Sequence, residues 1–79
     1  IHEQNAEWEQ AAELYEKGIE ADRLAEEFYR RLMICQCHFG NHAAAARTYL
    51  HCRCLLQSEL GIAPSPQTTA VFTSLTSHV

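Results

Sequence analysis

The sequence has few residues that break helices, no long apolar run and no excess of positive charge. Its 79 residues include only three Gly and two Pro. No stretch approaches the roughly 18 uninterrupted apolar residues that a membrane span needs, so we expect no membrane contact. The formal net charge of -4 makes direct contact with nucleic acid unfavourable, because phosphate repels an acidic chain. An apolar fraction of 47% excludes a disordered tail, and the length suits one small domain over residues 1–79.

The charged residues are placed unevenly along the chain. Nine of the ten acidic residues lie in 1–31, whereas 61–79 contain no Asp, Glu, Lys or Arg. We expect either that this uncharged tail is covered by the parent protein or a second copy, or that it forms a surface rich in Ser and Thr. No secretory signal is visible, and the chain begins with Ile1 rather than Met. We therefore expect it to be a segment of a longer protein.

Apolar residues recur with a helical period in four segments. Asn5 is the expected N-cap of the first helix, and Gly40 and Gly61 are expected to end the second and third. Ser65 followed by Pro66 predicts the start of a fourth helix, because this pair suits an N-cap and a first-turn proline. The predicted helices span residues 6–21, 25–39, 42–60 and 66–78.

Each predicted helix carries one apolar stripe. In the first helix the stripe contains Trp8, Ala11, Ala12, Tyr15 and Ile19. In the second it contains Leu24, Phe28, Leu32, Cys35 and Phe39. In the third it contains Tyr49, Cys52, Leu56 and Leu60, and in the fourth Val71, Phe72 and Leu75.

The first and third helices carry an internal repeat of 34 residues. Ala11, Tyr15 and Gly18 recur as Ala45, Tyr49 and Cys52, which preserves the order small, aromatic, small. Small residues let two helices approach closely, and an aromatic residue one turn later fills the space beside them. A period of 34 with paired helices is typical of the tetratricopeptide repeat. We predict an all-α, tetratricopeptide-like, right-handed stack of helical hairpins with about four antiparallel helices.

The repeat also indicates how the helices divide into units. The first helix would be the second half of a truncated unit, and the next two would form a complete one. The fourth would begin another unit or cap the stack. A repeat stack that begins in the middle of a unit leaves the apolar face of its end helix exposed, so we expect the chain to associate with itself.

Two segments of the sequence carry a family resemblance. One is Glu26-Glu27-Phe28-Tyr29-Arg30-Arg31-Leu32-Met33, and the other is Glu59-Leu60-Gly61-Ile62-Ala63-Pro64-Ser65-Pro66-Gln67-Thr68. With Gly40, Ala45 and Tyr49 they resemble the bacterial transcriptional activator domain, which occurs in regulators of the antibiotic regulatory protein family. The resemblance covers roughly residues 6–76. Arg23 and Gln67 depart from the family pattern, which usually has Pro and Glu there.

This resemblance implies a tetratricopeptide-like domain in a cytoplasmic transcription regulator. Such domains usually follow a separate DNA-binding domain and mediate protein contacts, dimerisation or signal coupling. The resemblance implies no catalysis, no cofactor and no small-molecule substrate. The expected partners are proteins: a second copy of the chain or other domains of the same regulator.

The second helix is the candidate partner-binding element. In repeat stacks of this kind the first helix of each pair lines the inner groove. That arrangement would place six residues towards a partner: Glu27, Arg30, Arg31, Ile34, Cys37 and His38. The alternative is a solvated helix face, in which Glu26 and Glu27 pair with Arg30 and Arg31 four residues away. A clamp for a peptide carboxylate is not supported, because Ile34 interrupts the basic pattern.

Four cysteines suggest a second class of function, a thiol- or metal-based sensor. Cys35 and Cys37 lie on the second helix, and Cys52 and Cys54 lie on the third. On a helix, two residues separated by one other point about 200° apart, so neither pair can chelate one ion by itself. Added ligands could come from His38 and His51. The alternatives are reduced, packed thiols and a disulfide or redox role. Cys35 and His38 share a helix face, but no orienting group or oxyanion site accompanies them, so we predict no enzyme and no metal site.

Overall fold

Four α-helices joined by short connections make up the described part of the chain. The computed structural model describes residues 2–76, and these contain no strand. The helices are α1 (His2–Ala21), α2 (Glu26–His38), α3 (His42–Leu60) and α4 (Pro66–Thr76). The all-α prediction with four helices is confirmed. The expectation that the fourth helix continues to residue 78 falls partly on 77–79, which lie outside the described residues.

Local chemistry accounts for three of the helix ends. Gly61 adopts a left-handed φ of 67° after α3, and its amide donates to the carbonyl of Gln57 at 3.0 Å. Ser65 caps α4, because its Oγ accepts from the amide of Thr68 at 3.3 Å. Asn41 caps α3 in the same way through the amide of Ala44 at 3.1 Å. Two N-cap side chains and one C-terminal glycine therefore set these helix ends, and all three are residue types that can be recognised in the sequence.

The N-cap predicted at Asn5 is wrong. α1 already begins at His2, so Asn5 lies inside the helix. An N-cap residue has a non-helical backbone, and a helical residue at this position excludes that role. The residues before Trp8 have good helix formers among them, and the helix extends through them.

Helix α2 is the centre of the packing. It contacts α1, α3 and α4, and α4 also contacts α3, whereas the backbones of α1 and α3 do not approach each other. Tyr29 of α2 lies in a buried cluster with Cys52 and Leu56 of α3. Four further buried residues complete the core: Leu32, Met33, Cys35 and Ala45. In the described part of the chain, α2 is therefore the one helix that contacts all three others.

Both tyrosines of the predicted repeat pack against a phenylalanine ring of the next helix. Tyr15 of α1 lies against Phe28 of α2, with ring centroids 6.5 Å apart. Tyr49 of α3 stacks on Phe72 of α4 at 4.1 Å. Gly18 allows the first contact, because a Cβ there would lie 3.0 Å from the Phe28 ring. Each helix in the second position of a pair therefore uses a tyrosine to pack against the next helix along the chain, as a tetratricopeptide-like stack requires.

Three residues at the ends of the predicted apolar stripes are exposed instead of packed. Leu24 lies in the turn before α2, Phe39 follows the last residue of that helix, and Leu60 ends α3. A stripe buries a side chain only where a neighbouring helix runs alongside, and these three positions lie at or beyond the helix ends. The uncharged segment after Gly61 is partly inside the domain, since Pro64 and Thr68 are buried.

Candidate partner-binding cleft between α2 and α4

A shallow cleft runs between α2 and α4. It is lined by two sets of residues, Glu27, Arg30, Arg31 and Ile34 from α2, and Gln67 and Val71 from α4. Its volume is about 490 Å³. Four of the six residues predicted to face a partner thus lie together in one depression. We call this depression the α2–α4 cleft.

The other two predicted residues, Cys37 and His38, do not line the cleft. His38 stacks on Trp8 of α1, with ring centroids 3.9 Å apart and planes tilted by 11°. The Sγ of Cys37 lies 3.5 Å from Nδ1 of His42, across the turn between α2 and α3. Both side chains therefore make contacts between helices at the C-terminal end of α2, away from α4.

The cleft has a charged rim and an apolar centre. Arg31 donates through Nε to Oε2 of Glu27 at 2.9 Å, and both side chains are more than half exposed. This is the pairing between residues four apart that the sequence suggested. Ile34 is half-buried one turn further on, and α4 contributes no charged side chain to the opposite wall. An exposed ion pair of this kind adds little to stability.

A polar cluster holds the two walls of the cleft together. Thr68 of α4 is fully buried, and its hydroxyl donates to Oε1 of Glu26 at 2.6 Å. The same hydroxyl accepts from Nη1 of Arg30 at 2.9 Å. Oε1 of Glu26 also accepts from the amide of Ser65 at 2.9 Å. We call Glu26, Arg30, Ser65 and Thr68 the α2–α4 polar cluster.

The cluster changes the protonation chemistry of Glu26. Partial burial acts to raise its pKa, but the hydrogen bonds from Thr68 and Ser65 outweigh that effect and lower the pKa below its ordinary value of 4.5. The ionised carboxylate is therefore the form that the fold stabilises. The sequence suggested a direct ion pair between Glu26 and Arg30, four residues apart, but this is not one of the ion pairs between described residues. Instead, the Thr68 hydroxyl lies between the two groups and bonds to both.

Sequence reasoning did not identify Thr68 or Glu26 as partners. Both lie in the two segments that carry the family resemblance, but they are 42 residues apart in sequence. A helix-period reading finds partners only three or four residues away. The sequence feature that could have indicated this contact is the presence of both Glu26 and the Pro-Ser-Pro-Gln-Thr segment in the family resemblance. In the fold, these two parts of the sequence meet in one polar cluster.

The four cysteines are free, and the two members of each pair differ in burial. Cys35 and Cys52 are buried, Cys37 is half-buried and Cys54 is exposed. Burial raises the pKa of the Cys35 and Cys37 thiols, and it raises that of Cys52 to about 11. A thiol reacts and binds metal as the thiolate, so these three are poorly suited to either role at neutral pH.

Metal ligands do not converge in the described part of the chain. No group of three or more His, Cys, Asp or Glu residues there has a geometry that could hold an ion. His38 and His51 make ring contacts, with Trp8 and Tyr29 respectively. These contacts and the burial of two thiols favour the packed, reduced cysteines among the alternatives.

The helix order, the tyrosine contacts and the cleft define the class of the molecule as a tetratricopeptide-like helical domain. Comparison with known families then gives a direct assignment. Residues 2–76 match the family described as bacterial transcriptional activator domain. The chain belongs to this family, as the sequence resemblance predicted, and is therefore a regulatory domain of the transcriptional activator type.

Comparisons with curated proteins and with solved structures found no match to this chain. Within residues 2–76, every helix is too short or too polar to cross a bilayer.

Proposed function

We propose that this domain is a non-catalytic protein-binding module of a cytoplasmic bacterial transcription regulator, acting beside a separate DNA-binding domain. The observation that carries the proposal is the family match over residues 2–76 together with an open cleft between α2 and α4. Its partner is another domain of the same regulator. The cleft, and not a reactive group, is the functional feature.

The shape and charge of the cleft support a protein partner. Ile34 and Val71 supply apolar surface between two helices, and the Glu27–Arg31 pair lies at the rim. Interfaces between proteins commonly combine an apolar centre with polar residues around it. A partner segment with an apolar side chain and a charge of either sign can use both parts of this surface.

The chain's own chemistry gives little support to other functions. Its net charge of -4 disfavours contact with DNA. Three of its thiols are shifted towards the protonated form, which argues against the alternative of a thiol or metal sensor. Elemental analysis of protein purified without chelator tests that alternative directly, because bound metal would revive it.

Binding measurements with the remaining domains of the regulator test the proposal. Isothermal titration of the wild-type chain against those domains should give a measurable affinity. Ile34→Glu places a charge in the centre of the cleft and should weaken binding at least about tenfold, the size of effect expected at a buried interface position. Leu14→Glu replaces an exposed apolar residue of α1 that lies outside the cleft; it is the matched control and should bind like wild type.

Two results would count against the proposal. Absence of binding to every other domain of the regulator would remove the interdomain function. Loss of binding in Leu14→Glu with retention in Ile34→Glu would move the contact to α1 and away from the cleft. Circular dichroism of each variant separates lost binding from lost folding.

A further inference from the structure

The charge of the α2–α4 cleft differs in sign from that of the whole chain. Two arginines and one glutamate line the cleft, Arg30, Arg31 and Glu27, and its other lining residues are uncharged. The cleft therefore has a formal charge of +1, whereas the chain has a net charge of -4. A cleft concentrates the field of the charges that line it, so this depression attracts anionic groups.

Arg30 supplies a positive charge that no direct ion pair neutralises. Its side chain is half-buried and forms no salt bridge with any described residue. Its Nη1 donates to the neutral hydroxyl of Thr68 at 2.9 Å. Glu26 acts on Arg30 only at longer range, because its Oε1 accepts from the Ser65 amide and the Thr68 hydroxyl instead. A guanidinium has five N–H donors, so Arg30 keeps donors for the carboxylate of another molecule.

Arg31 supplies the second positive charge, at the rim. Its bond to Oε2 of Glu27 uses Nε, and the guanidinium has further N–H groups that can donate to a second carboxylate. The opposite wall adds no competing charge, because α4 contains no Asp, Glu, Lys or Arg. The two arginines therefore set the sign of the charge that a partner meets in the cleft.

The charged and apolar parts of the cleft are close enough for one short segment to reach both. Ile34 follows Arg30 and Arg31 on α2 by about one turn, an axial rise of about 5–6 Å. Val71 adds apolar surface from α4. Two residues one turn apart on a partner helix have a similar separation, about 5–6 Å between their Cβ atoms. One face of a single turn can therefore present both an apolar side chain and a carboxylate to the cleft.

We propose that the α2–α4 cleft binds an acidic and apolar segment of its partner. An apolar side chain of that segment lies between Ile34 and Val71, and an Asp or Glu side chain binds Arg30 and Arg31. A basic segment would bring like charges together at the arginines, which opposes binding. This inference rests on the proposed function and adds to it the chemistry of the partner, because the shape of the cleft alone suits a charge of either sign.

Removal of the acidic charge from the cleft tests the sign of the partner. Isothermal titration measures binding of each variant to the remaining domains of the regulator. Glu27→Gln leaves Arg31 without its carboxylate, so it should strengthen binding by about two- to fivefold, the effect of one exposed charge. Glu13→Gln changes the net charge equally at an exposed position of α1 outside the cleft, and should bind like wild type. A misfolded variant would not bind more tightly, so this readout does not depend on stability.

Removal of a basic charge should have the opposite effect. Arg31→Gln should weaken binding by about fivefold, because the partner carboxylate loses one of its two cationic contacts. Arg31 is chosen because Arg30 also bonds to Thr68, and its loss would disturb the wall of the cleft. Arg47→Gln removes the same charge from an exposed position of α3 and is the matched control. Circular dichroism and melting temperature confirm that each variant is folded.

The direction of these changes decides the outcome. Stronger binding by Arg31→Gln, or weaker binding by Glu27→Gln, would show that the partner presents a basic segment and would overturn the inference while leaving the proposed function intact. Unchanged affinity in both variants, with Ile34→Glu still weakening binding, would also overturn the inference alone. Weaker binding by Arg47→Gln in place of Arg31→Gln would move the acidic segment to α3 and overturn it. Absence of any binding by the wild-type chain would overturn both.

Discussion

Replacement of Thr68 by Val tests how α4 is held against α2. The Thr68 side chain is fully buried, donates to Glu26 at 2.6 Å and accepts from Arg30 at 2.9 Å. Valine has nearly the same shape but can form neither of these bonds, nor the longer one that the Thr68 hydroxyl accepts from the Ser65 hydroxyl at 3.3 Å. The substitution therefore removes the centre of the polar cluster without opening a cavity, and its cost reports hydrogen bonding and not packing.

The expected cost follows from the number and type of bonds lost. A hydrogen bond to a charged group contributes about 1.5–3 kcal/mol. Glu26 and Arg30 are only half-buried, so water restores part of the loss, and Glu26 keeps its bond from the Ser65 amide. We therefore expect a net loss of about 2–3 kcal/mol. For a domain of this size, that loss lowers the melting temperature by about 10–20 °C.

Urea unfolding followed by circular dichroism measures the effect. With a slope of about 1 kcal/mol per molar urea, the midpoint should fall by about 2 M or more. Thr68→Ser keeps the hydroxyl and should lose only about 1 kcal/mol, the contribution of one methyl group. Hydrogen exchange should show that the amides of α4 lose protection first, since α2 and α3 keep their own contacts.

Thr69→Val is the matched control for this experiment. Thr69 is the next residue, is exposed, and its hydroxyl reaches only that of Tyr49 at 3.4 Å. It should change the free energy of unfolding by no more than about 0.5 kcal/mol. If Thr68→Val and Thr69→Val unfolded at the same midpoint, the polar cluster would not be what holds α4 in place.

Three further predictions concern other parts of the domain. Glu26→Gln should lower the free energy of unfolding at pH 7, and the difference from wild type should shrink below about pH 4.5. The reason is that the stability from a lowered carboxyl pKa is lost as the pH falls through the pKa of the folded state. Urea unfolding at several pH values measures this difference, and a difference that grew in acid would contradict the prediction. Gly18→Val should lower the free energy of unfolding by about 1–3 kcal/mol, since even a Cβ at this position would lie 3.0 Å from the Phe28 ring of α2. Lys17→Val, at an exposed neighbouring position, is the control. Equal melting temperatures of the two variants would disprove the prediction. Cys54 should react first with a thiol reagent and Cys52 only after unfolding; equal rates in the native protein would contradict the burial argument.

Local sequence rules accounted for the helices because they act within one turn. Gly61 ends α3 since a left-handed residue costs glycine little, and Ser65 starts α4 since its hydroxyl reaches an amide three residues on. Asn5 shows where the same reasoning fails. A cap residue is recognised by its residue type, but residues with high helix propensity before it can extend the helix towards the N-terminus, so that the expected cap lies inside the helix.

The candidate cleft was predictable in part. Glu27, Arg30, Arg31 and Ile34 share the open side of α2, and helical periodicity places them there. Cys37 and His38 share that periodicity, yet they contact α3's first residue and α1. Which side of a helix remains open depends on the neighbouring helices, and periodicity contains no information about them.

The sequence alone determined that the chain is an all-α, tetratricopeptide-like domain, because the helical period, the caps and the 34-residue repeat are local or regular signals. Its membership of the bacterial transcriptional activator domain family was inferred from the two segments that resemble that family, and the family match over residues 2–76 confirms it. Only the tertiary structure decided that Thr68 of α4 bonds to Glu26 and Arg30 of α2, which are 42 and 38 residues away in sequence, and that Tyr49 of α3 stacks on Phe72 of α4. The physical reason is range: a helix specifies contacts one turn away, whereas contacts between helices follow from how the helices pack as a group.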